Sequence, residues 1–233
     1  MQTHLIVGFG EVGKAIQNIF AATVHDPHLN YKATGLFDVM HVCMPYFDGF
    51  IHSVQEYQKK FRPQLIIVHS TVPVGTCKLI PAVHSPIRGV HPNLEKGIMR
   101  MTKYFGGDNS EEAAEIFGKK GIHCVCVDSS DTTEAAKLWS TTQYGLFIAL
   151  NKYMYAWCEE MGVDFNTVYT DFNETYNEGY KKLKKKHVRR PVLKYMDGKI
   201  GGHCVMSNLE LLNDGFICDI IKEVNKGQKP NGS

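Results

Sequence analysis

The chain has 233 residues, of which 43% are hydrophobic and 21% are charged, and its formal net charge is +2. This composition excludes a disordered chain and allows one sizeable core, or a main domain with a smaller partner. The net charge is too small to make nucleic acid the expected partner. We find no apolar run of membrane length, no signal peptide and no metal-binding spacing among the seven cysteines. We therefore expect a reduced, cytoplasmic protein with no membrane partner and no metal site.

The first half of the sequence alternates short apolar runs with amphipathic stretches. Four apolar runs predict buried parallel strands, at residues 4–10, 38–45, 63–70 and 121–127. The stretches 49–61 and 110–119 have helical periodicity. This βαβ pattern predicts an α/β fold with a Rossmann-type, doubly wound parallel sheet.

A long helical pattern follows, from residue 131 to residue 161. It is apolar on nearly all sides, with Trp139, Tyr144, Phe147, Ile148, Tyr153 and Trp157. A helix of this kind must be buried on most sides, and one small domain can hardly cover it. We place a boundary near Ser129, which gives an α/β domain over 1–128 and an all-helical domain over 129–233. The alternative is that the later helices of the same chain cover the long helix.

The glycine-rich segment VGFGEVGKAI, residues 7–16, carries the first chemical signal. Gly8, Gly10 and Gly13 form a GxGxxG motif between a strand and a helix, where a pyrophosphate can approach the helix N-terminus. Asp26 ends a short second strand and could accept hydrogen bonds from the adenosine ribose. Its carboxylate would repel the 2′-phosphate of NADP and therefore favours NAD. The short spacing from Gly13 to Asp26 predicts a brief first helix or a tight loop. The alternative reading is three turn glycines and a surface aspartate.

The expected NAD contacts lie in the loops that follow the first four strands. They are Gly8, Phe9, Gly10, Glu11, Val12, Gly13, Asp26, Met44, Pro45, Ser70 and Thr71.

Three further segments resemble a known family. STVPVGT (70–76), the long segment from EAAKL to GVD (134–164) and GGHC (201–204) occur in the order found in the UDP-glucose/GDP-mannose dehydrogenases, of the 6-phosphogluconate dehydrogenase-like superfamily. The resemblance covers most of the chain. It implies an NAD domain followed by a helical domain that binds substrate and forms a homodimer through helix 131–161. The chain ends about 30 residues after Cys204, so we expect a short member without the family's C-terminal nucleotide-sugar domain.

The resemblance also implies catalytic roles. In the family, two hydride transfers convert a primary alcohol to a carboxylate through a thioester on a cysteine, which matches Cys204. Lys137 matches the lysine that steadies the oxyanion, and Thr71 matches the threonine that helps to hold the catalytic water. A position at a helix start lowers the pKa of a thiol, which suits a nucleophile. The alternative for Cys204 is a buried structural thiol.

The chain departs from the family at three polar positions. Thr141 replaces an asparagine, Ile87 replaces a glutamate, and Asn208 replaces an aspartate four residues after the cysteine. We keep Thr141 and Asn208 as catalytic candidates. The two missing carboxylates serve proton transfer or water activation in the family, and neither Ile87 nor Asn208 can act as a base, so thioester hydrolysis is the step most affected.

The expected function is therefore an NAD-dependent oxidoreductase that oxidises an alcohol or aldehyde of an anionic, sugar-like substrate. One alternative is a non-catalytic NAD-binding protein, and another is a single-step dehydrogenase of the β-hydroxyacid type. The candidate substrate contacts are Arg88, His91 and His203, because a guanidinium suits a phosphate or carboxylate. For Arg88, a surface pairing with a nearby acid is the alternative.

Overall fold

Seven short strands in the first part of the chain form one sheet, in the order β2-β1-β3-β4-β5-β6-β7. The computed structural model describes residues 2–91, 93–201 and 203–228, except for the side chains of His203 and Cys204. The strands are β1 His4–Val7, β2 Thr23–His25, β3 Val39–Val42, β4 Leu65–Val68, β5 Val83–His84, β6 Lys103–Gly106 and β7 Cys124–Val127.

The first five strands are parallel, as the sequence predicts, but the last two are not parallel to them. β6 pairs with β5 in the antiparallel direction, and β7 then runs parallel to β6. The expectation of a parallel strand over 121–127 is therefore wrong in direction. β7 also lies at the edge of the sheet, where Cys126 is exposed rather than buried. A strand whose second neighbour is missing has one unpaired side, so it is less enclosed than the central strands.

Helices cover both faces of this sheet. They are α1 Glu11–Phe20, α2 Phe50–Phe61, α3 Leu94–Arg100 and α4 Ser110–Gly118. Apolar residues of α1, α3 and α4 form one buried cluster with Ile6 and Ile67, and residues of α2 form a second cluster with Leu5 and Ile66. Successive strand residues point to opposite faces, so Leu5 and Ile6 belong to different clusters. The doubly wound α/β architecture is confirmed.

The chain order places the ligand-binding edge of the sheet. β1 has β2 on one side and β3 on the other, so the strand order reverses at β1. The carboxyl ends of parallel strands at such a switch point form the crevice that binds ligands in this class of sheet. α1 has only ten residues, which accounts for the short spacing between Gly13 and Asp26.

The chain divides into two units, Met1–Leu138 and Trp139–Ser233. The division falls inside the long helix α5, Ser130–Met161, whose first turns belong to the first unit. The boundary expected near Ser129 stays a prediction.

The second unit is helical in its described part. It contains the rest of α5, a π-helical segment Asn166–Asp171, α6 Phe172–Lys182, α7 His203–Leu212 and α8 Gly215–Lys226. One buried cluster joins α5 to α7 and α8 through Ala149, Leu209 and Ile221, and a second one surrounds Cys158. None of the described helices combines the length and the apolar character of a helix that crosses a bilayer.

Candidate dinucleotide and active site

The three glycines of the GxGxxG motif have different surroundings. Gly8 has φ of +91°, and a Cβ on it would lie 2.6 Å from the Met44 backbone nitrogen. A Cβ on Gly13 would lie 2.1 Å from the Gly8 carbonyl oxygen, closer than real atoms approach. A Cβ on Gly10 would meet no atom of the described residues within 4 Å. Packing therefore requires glycine at positions 8 and 13, whereas Gly10 leaves open space in front of α1.

This open space faces the N-terminal end of α1. Gly10 is the N-cap residue and has extended backbone angles, and among the described residues no side chain caps the first turn of this helix. The first amide groups of a helix have no partner inside it, and they carry the positive end of the helix dipole. The turn can therefore receive an anion such as a pyrophosphate.

Asp26 lies directly after β2 and contacts the same loop. One carboxylate oxygen accepts a hydrogen bond from the Phe9 backbone N–H at 2.8 Å, and the other accepts one from the His28 N–H at 3.1 Å. Each oxygen of an ionised carboxylate has room for a second bond. Asp26 thus orders the glycine loop and retains the capacity to accept from ribose hydroxyls.

The loops after β3 and β4 are joined beside this site. The Ser70 hydroxyl donates to the Met44 carbonyl oxygen at 2.5 Å, and the Cys43 N–H donates to the Val7 carbonyl at 2.8 Å. These bonds place the loops that contain Met44, Pro45, Ser70 and Thr71 at the same edge of the sheet as Gly8. The structure therefore brings the predicted NAD contacts of the first unit together.

Lys137 and Glu134 lie one turn apart on α5, within the first unit. The Lys137 ammonium donates to the Ile87 carbonyl oxygen at 2.9 Å. The Glu134 carboxylate is fully buried and accepts from the backbone N–H groups of Gly75 at 2.6 Å and Cys77 at 2.8 Å. Glu134 therefore fixes the end of the STVPVGT loop to the helix that carries Lys137. The sequence analysis missed Glu134, although its place one turn before Lys137 was the available signal.

Arg88 and His91, both exposed, contact other protein groups. Arg88 donates to the Thr102 carbonyl oxygen at 3.3 Å, and its guanidinium lies 5.7 Å from the centre of the Tyr104 ring. His91 pairs with the carboxylate of Glu11, in the first turn of α1. Arg88 thus pairs with a carbonyl and an aromatic ring, so its role in substrate binding stays a prediction, as does that of His91.

In the second unit, two of the departures from the family pattern are bonded to each other. The Asn208 amide donates to the Thr141 hydroxyl at 3.1 Å, and Asn208 is buried. Cys204 lies in the first turn of α7, one turn before Asn208. The side chains of Cys204 and His203 lie outside the described residues, so their predicted roles are not tested.

No family model matches the chain. UDP-N-acetyl-D-mannosamine dehydrogenase from Methanococcus maripaludis is 28% identical over 152 residues, covering 60% of this chain and 33% of the relative. The Methanococcus vannielii enzyme of the same name is 27% identical over the same length. The resemblance to the nucleotide-sugar dehydrogenases is confirmed. The match spans only about a third of the length of these relatives.

Solved structures share the fold at lower identity. UDP-D-ManNAc dehydrogenase from Pyrococcus horikoshii has a TM-score of 0.72 at 16% identity, over 96% of this chain and 68% of that chain. 3-Hydroxyisobutyrate dehydrogenase from Mycobacterium tuberculosis has a TM-score of 0.66 at 14% identity, over 98% of this chain and 95% of that chain. At such identities the likeness shows the fold alone, and it does not choose between a nucleotide sugar and a hydroxy acid.

Proposed function

We propose that the protein is an NAD-dependent dehydrogenase that oxidises a CH–OH group of an anionic, sugar-like substrate. The observation that carries the proposal is the contrast among the three glycines. Gly8 and Gly13 cannot accept a Cβ, whereas Gly10 faces open space at an uncapped helix start. This is the division of roles that a dinucleotide loop requires.

The described residues fit NAD. The first-turn amides of α1 would hold the pyrophosphate, and Asp26 would accept from the ribose hydroxyls. A carboxylate at this position repels the 2′-phosphate of NADP, so we expect NAD to bind more tightly. When bound, NAD supplies the hydride acceptor.

Lys137 is the residue of the first unit best placed for the chemistry. Its ammonium donates to the Ile87 carbonyl oxygen at 2.9 Å, and this bond helps to hold the ammonium in place. A positioned ammonium stabilises the oxyanion that forms on a reacting alcohol or aldehyde. By the resemblance, Thr71 would help to hold a water molecule and Cys204 would be the nucleophile.

The second oxidation depends on hydrolysis of a thioester. Asn208 donates its amide to Thr141, and neither group can remove a proton from water. We therefore propose that this chain releases the acid slowly or stops after one oxidation. The number of NADH molecules formed per substrate separates these cases, because two support the double oxidation and one supports the β-hydroxyacid type. The relatives are named as dehydrogenases, so the non-catalytic alternative is not favoured.

We also propose a homodimer through α5. Large apolar residues stay exposed on this helix, among them Leu150, Tyr153, Trp157 and Met161. Their spacing of three or four residues places them on one face. Apolar faces of this kind mark protein interaction sites, and the resemblance identifies the partner as a second copy.

The described cysteines are all free, which supports the expected reducing, cytoplasmic location.

The test compares two glycine substitutions in which the added methyl group meets no protein atom. Gly10→Ala should fold and should lose at least tenfold in NAD affinity, measured by calorimetry, because the methyl group occupies the space of the pyrophosphate. Gly179→Ala in α6 is the matched control, since its Cβ also meets nothing within 4 Å, and it should bind NAD normally. Equal NAD affinity in Gly10→Ala and the unsubstituted protein would overturn the proposed cofactor site.

The substrate is tested with a panel of UDP-N-acetylmannosamine, UDP-glucose and 3-hydroxyisobutyrate, with NADH formation as the readout. Turnover of a nucleotide sugar supports the proposed function, and turnover of the hydroxy acid alone supports the single-step alternative. Binding of NAD without turnover of any member would return the preference to a non-catalytic protein.

A further inference from the structure

A chain of polar side chains crosses one face of the sheet in the first unit. The Nδ1 atom of His4 lies 3.0 Å from Nε2 of His41, and Nδ1 of His41 lies 3.0 Å from Nε2 of His69. Nδ1 of His69 lies 2.9 Å from the Ser85 carbonyl oxygen and 3.4 Å from Nζ of Lys103. The three rings and the lysine thus form a continuous line of hydrogen-bonding atoms.

The sheet register creates this line. His41 pairs with Ile6 on β1 and with Ile67 on β4. His4 lies two residues before Ile6, and His69 lies two residues after Ile67, so both are diagonal neighbours of His41. Diagonal neighbours on one face are within reach of ring-sized side chains.

Aromatic rings enclose the chain along most of its length. The Phe20 ring stacks on His4 at 4.7 Å and on His41 at 5.2 Å between ring centres. The Phe117 ring lies edge-on to His41 and His69. His41, His69 and Lys103 are buried, whereas His4 is only partly buried. The chain therefore runs from near the surface at His4 to the core at Lys103.

In a first arrangement, with the Lys103 amine uncharged, the Ser85 carbonyl sets the direction of the hydrogen bonds. A carbonyl oxygen only accepts, so Nδ1 of His69 carries a hydrogen that it donates to Ser85. In a neutral ring the other nitrogen is then bare and accepts from Nδ1–H of His41. The same reasoning assigns Nδ1–H to His4. Burial lowers the pKa of His41 and His69 well below 6.5, so both rings are neutral near neutral pH.

A second arrangement uses the same contacts in the opposite direction. One proton binds Nε2 of His4, each Nδ1–H proton moves to the next ring, and the last one moves from His69 to the uncharged Lys103 amine. Every ring then carries Nε2–H and remains neutral. The Lys103 ammonium donates to the bare Nδ1 of His69 and to the Ser85 carbonyl, which lies 3.0 Å away. One proton enters and one arrives. The bond from His69 to the Ser85 carbonyl is replaced by the bond from the Lys103 ammonium to His69, so the number of hydrogen bonds is unchanged.

We propose that His4, His41, His69 and Lys103 form a proton relay between solvent and the core, in which protonation of Lys103 reverses the tautomers of all three rings together. Burial lowers the pKa of Lys103 from 10.5 to about 7, with Lys137 adding to this effect and the Cys43 and Cys124 thiols opposing it. The two arrangements therefore interconvert near neutral pH.

Other titratable groups lie near the two ends of the relay. Burial and the Lys120 ammonium lower the pKa of His4, whereas the Asp38 carboxylate raises it. His84 faces His69, and burial lowers the pKa of His84 to about 3, so it stays uncharged.

The inner end of the relay lies beside the candidate catalytic lysine. Lys103 donates to the Ser85 carbonyl and Lys137 donates to the Ile87 carbonyl, so both ammonium groups contact one short segment. Oxidation of an alcohol by NAD releases one proton. This use of the relay rests on the proposed function: Lys103 would accept that charge near Lys137 and pass it to solvent through His69, His41 and His4.

The test is an NMR titration of the protein labelled with 15N in its histidines, from pH 9 to pH 6 without cofactor. Ring nitrogens that carry a hydrogen are distinguished from bare ones by their 15N shifts. Above the pKa of Lys103, we expect hydrogen on Nδ1 and a bare Nε2 in His41 and His69. As the pH falls through about 7, the two nitrogens of each ring should exchange character at a common midpoint. Rings that keep one tautomer throughout, or that become doubly protonated in this range, would overturn the proposal.

Two lysine substitutions sharpen this titration. Lys103→Met removes the inner acceptor and should keep the rings in the Nδ1–H form over the whole range. Lys152→Met is the matched control, because Lys152 is also buried but donates to the carbonyls of Met196 and Gly198 in the second unit. It should leave the tautomer reversal intact, and loss of the reversal in this control would count against the relay. If Lys103→Met does not fold, the titration of the unsubstituted protein still decides.

The relay and the proposed function fail separately. The titration needs no cofactor, so a normal tautomer reversal in a protein that does not bind NAD would remove the function and keep the relay. Normal turnover in a protein whose histidine tautomers do not change with pH would remove the relay and keep the function.

Discussion

The two units of the chain differ in the side chains that they bury and the side chains that they expose. The first unit buries polar side chains, each with a hydrogen-bond partner: His25, His41, His69, His84, Lys103 and Glu134. The second unit instead exposes large apolar side chains on α5, among them Tyr153, which is 62% exposed, and Trp157, which is 47% exposed. The first unit therefore pairs these six buried groups internally, whereas the described part of the second presents a surface that suits a partner.

The secondary structure explains this difference. A sheet covered by helices on both faces leaves no solvent for a polar residue in a central strand, so such a residue must find a protein partner. A long helix has several faces, and its neighbours can cover only some of them. Ala149 and Cys158 of α5 lie in the buried clusters of the second unit, while Leu150 and Trp157 remain exposed.

The largest expected effect is acid unfolding of the first unit. Burial lowers the pKa of His41, His69 and His84 in the folded protein, to about 3 for His84, whereas the unfolded residues titrate near 6.5. Below pH 6.5 the unfolded state binds more protons, so stability falls as the pH falls. Three protons correspond to about 4 kcal/mol for each pH unit. Urea unfolding followed by circular dichroism at pH 8, 6 and 5 measures this slope.

Lys103 also makes the free energy of unfolding increase with pH, but in a higher pH range than the histidines. Its folded pKa of about 7 lies below its ordinary value of 10.5, so stability should rise by about 1.4 kcal/mol per pH unit between these values. Lys103→Met should remove this rise. A urea midpoint that does not change between pH 8 and pH 5 would contradict the assignment of the three histidines as buried and neutral. A midpoint that does not rise between pH 7 and pH 10.5 would contradict that of Lys103.

The next effect separates packing from binding in the glycine loop. Gly13→Ala places a methyl group 2.1 Å from a backbone oxygen, and backbone cannot move aside as a flexible side chain can. We expect a loss of at least about 3 kcal/mol in the free energy of unfolding. Gly10→Ala is the comparison, because its methyl group meets no protein atom, and it should unfold at nearly the unsubstituted urea concentration. Equal destabilisation by the two substitutions would mean that position 10 is also a packing site.

A smaller effect is expected on assembly through the exposed face of α5. Trp157→Lys places a charge in the proposed dimer interface and should weaken dimerisation by at least tenfold, or about 1.4 kcal/mol. Phe216→Lys is the control, since Phe216 is exposed on α8 rather than on α5. Analytical ultracentrifugation over a range of concentrations measures both. A monomeric unsubstituted protein, or equal weakening by the two substitutions, would exclude α5 as the interface.

The smallest effect concerns α6, which contributes neither to the buried polar groups of the first unit nor to the exposed apolar face of α5. Gly179 lies inside α6, and a Cβ there meets nothing. Gly179→Ala should raise the free energy of unfolding of the second unit by about 0.5–1 kcal/mol, because alanine loses less backbone entropy in a helix than glycine does. Unfolding followed by fluorescence reports on this unit, since Trp139 and Trp157 both lie in it. A decrease in stability would show that Gly179 has a packing partner.

Local sequence patterns were enough to predict the features that depend on neighbouring residues. Apolar runs of strand length predicted β1, β3 and β4, helical periodicity predicted α5, and GxGxxG between a strand and a helix predicted the loop around Gly10. These signals are local, because the period of a strand or helix and the conformational demands of glycine act over a few residues. The sequence also carried the resemblance that the relatives confirm.

Features that depend on distant residues could be recognised only in the folded chain. β5 has just two residues and gives no periodicity, and the reversal of direction between β5 and β6 is a property of their pairing. Glu134 is bonded to amides 57 and 59 residues away. The histidine relay joins His4, His41 and His69 across three strands, and their spacing in the chain predicts no contact. The register of the sheet brings them together, because diagonal neighbours on one face meet only after the strands have paired.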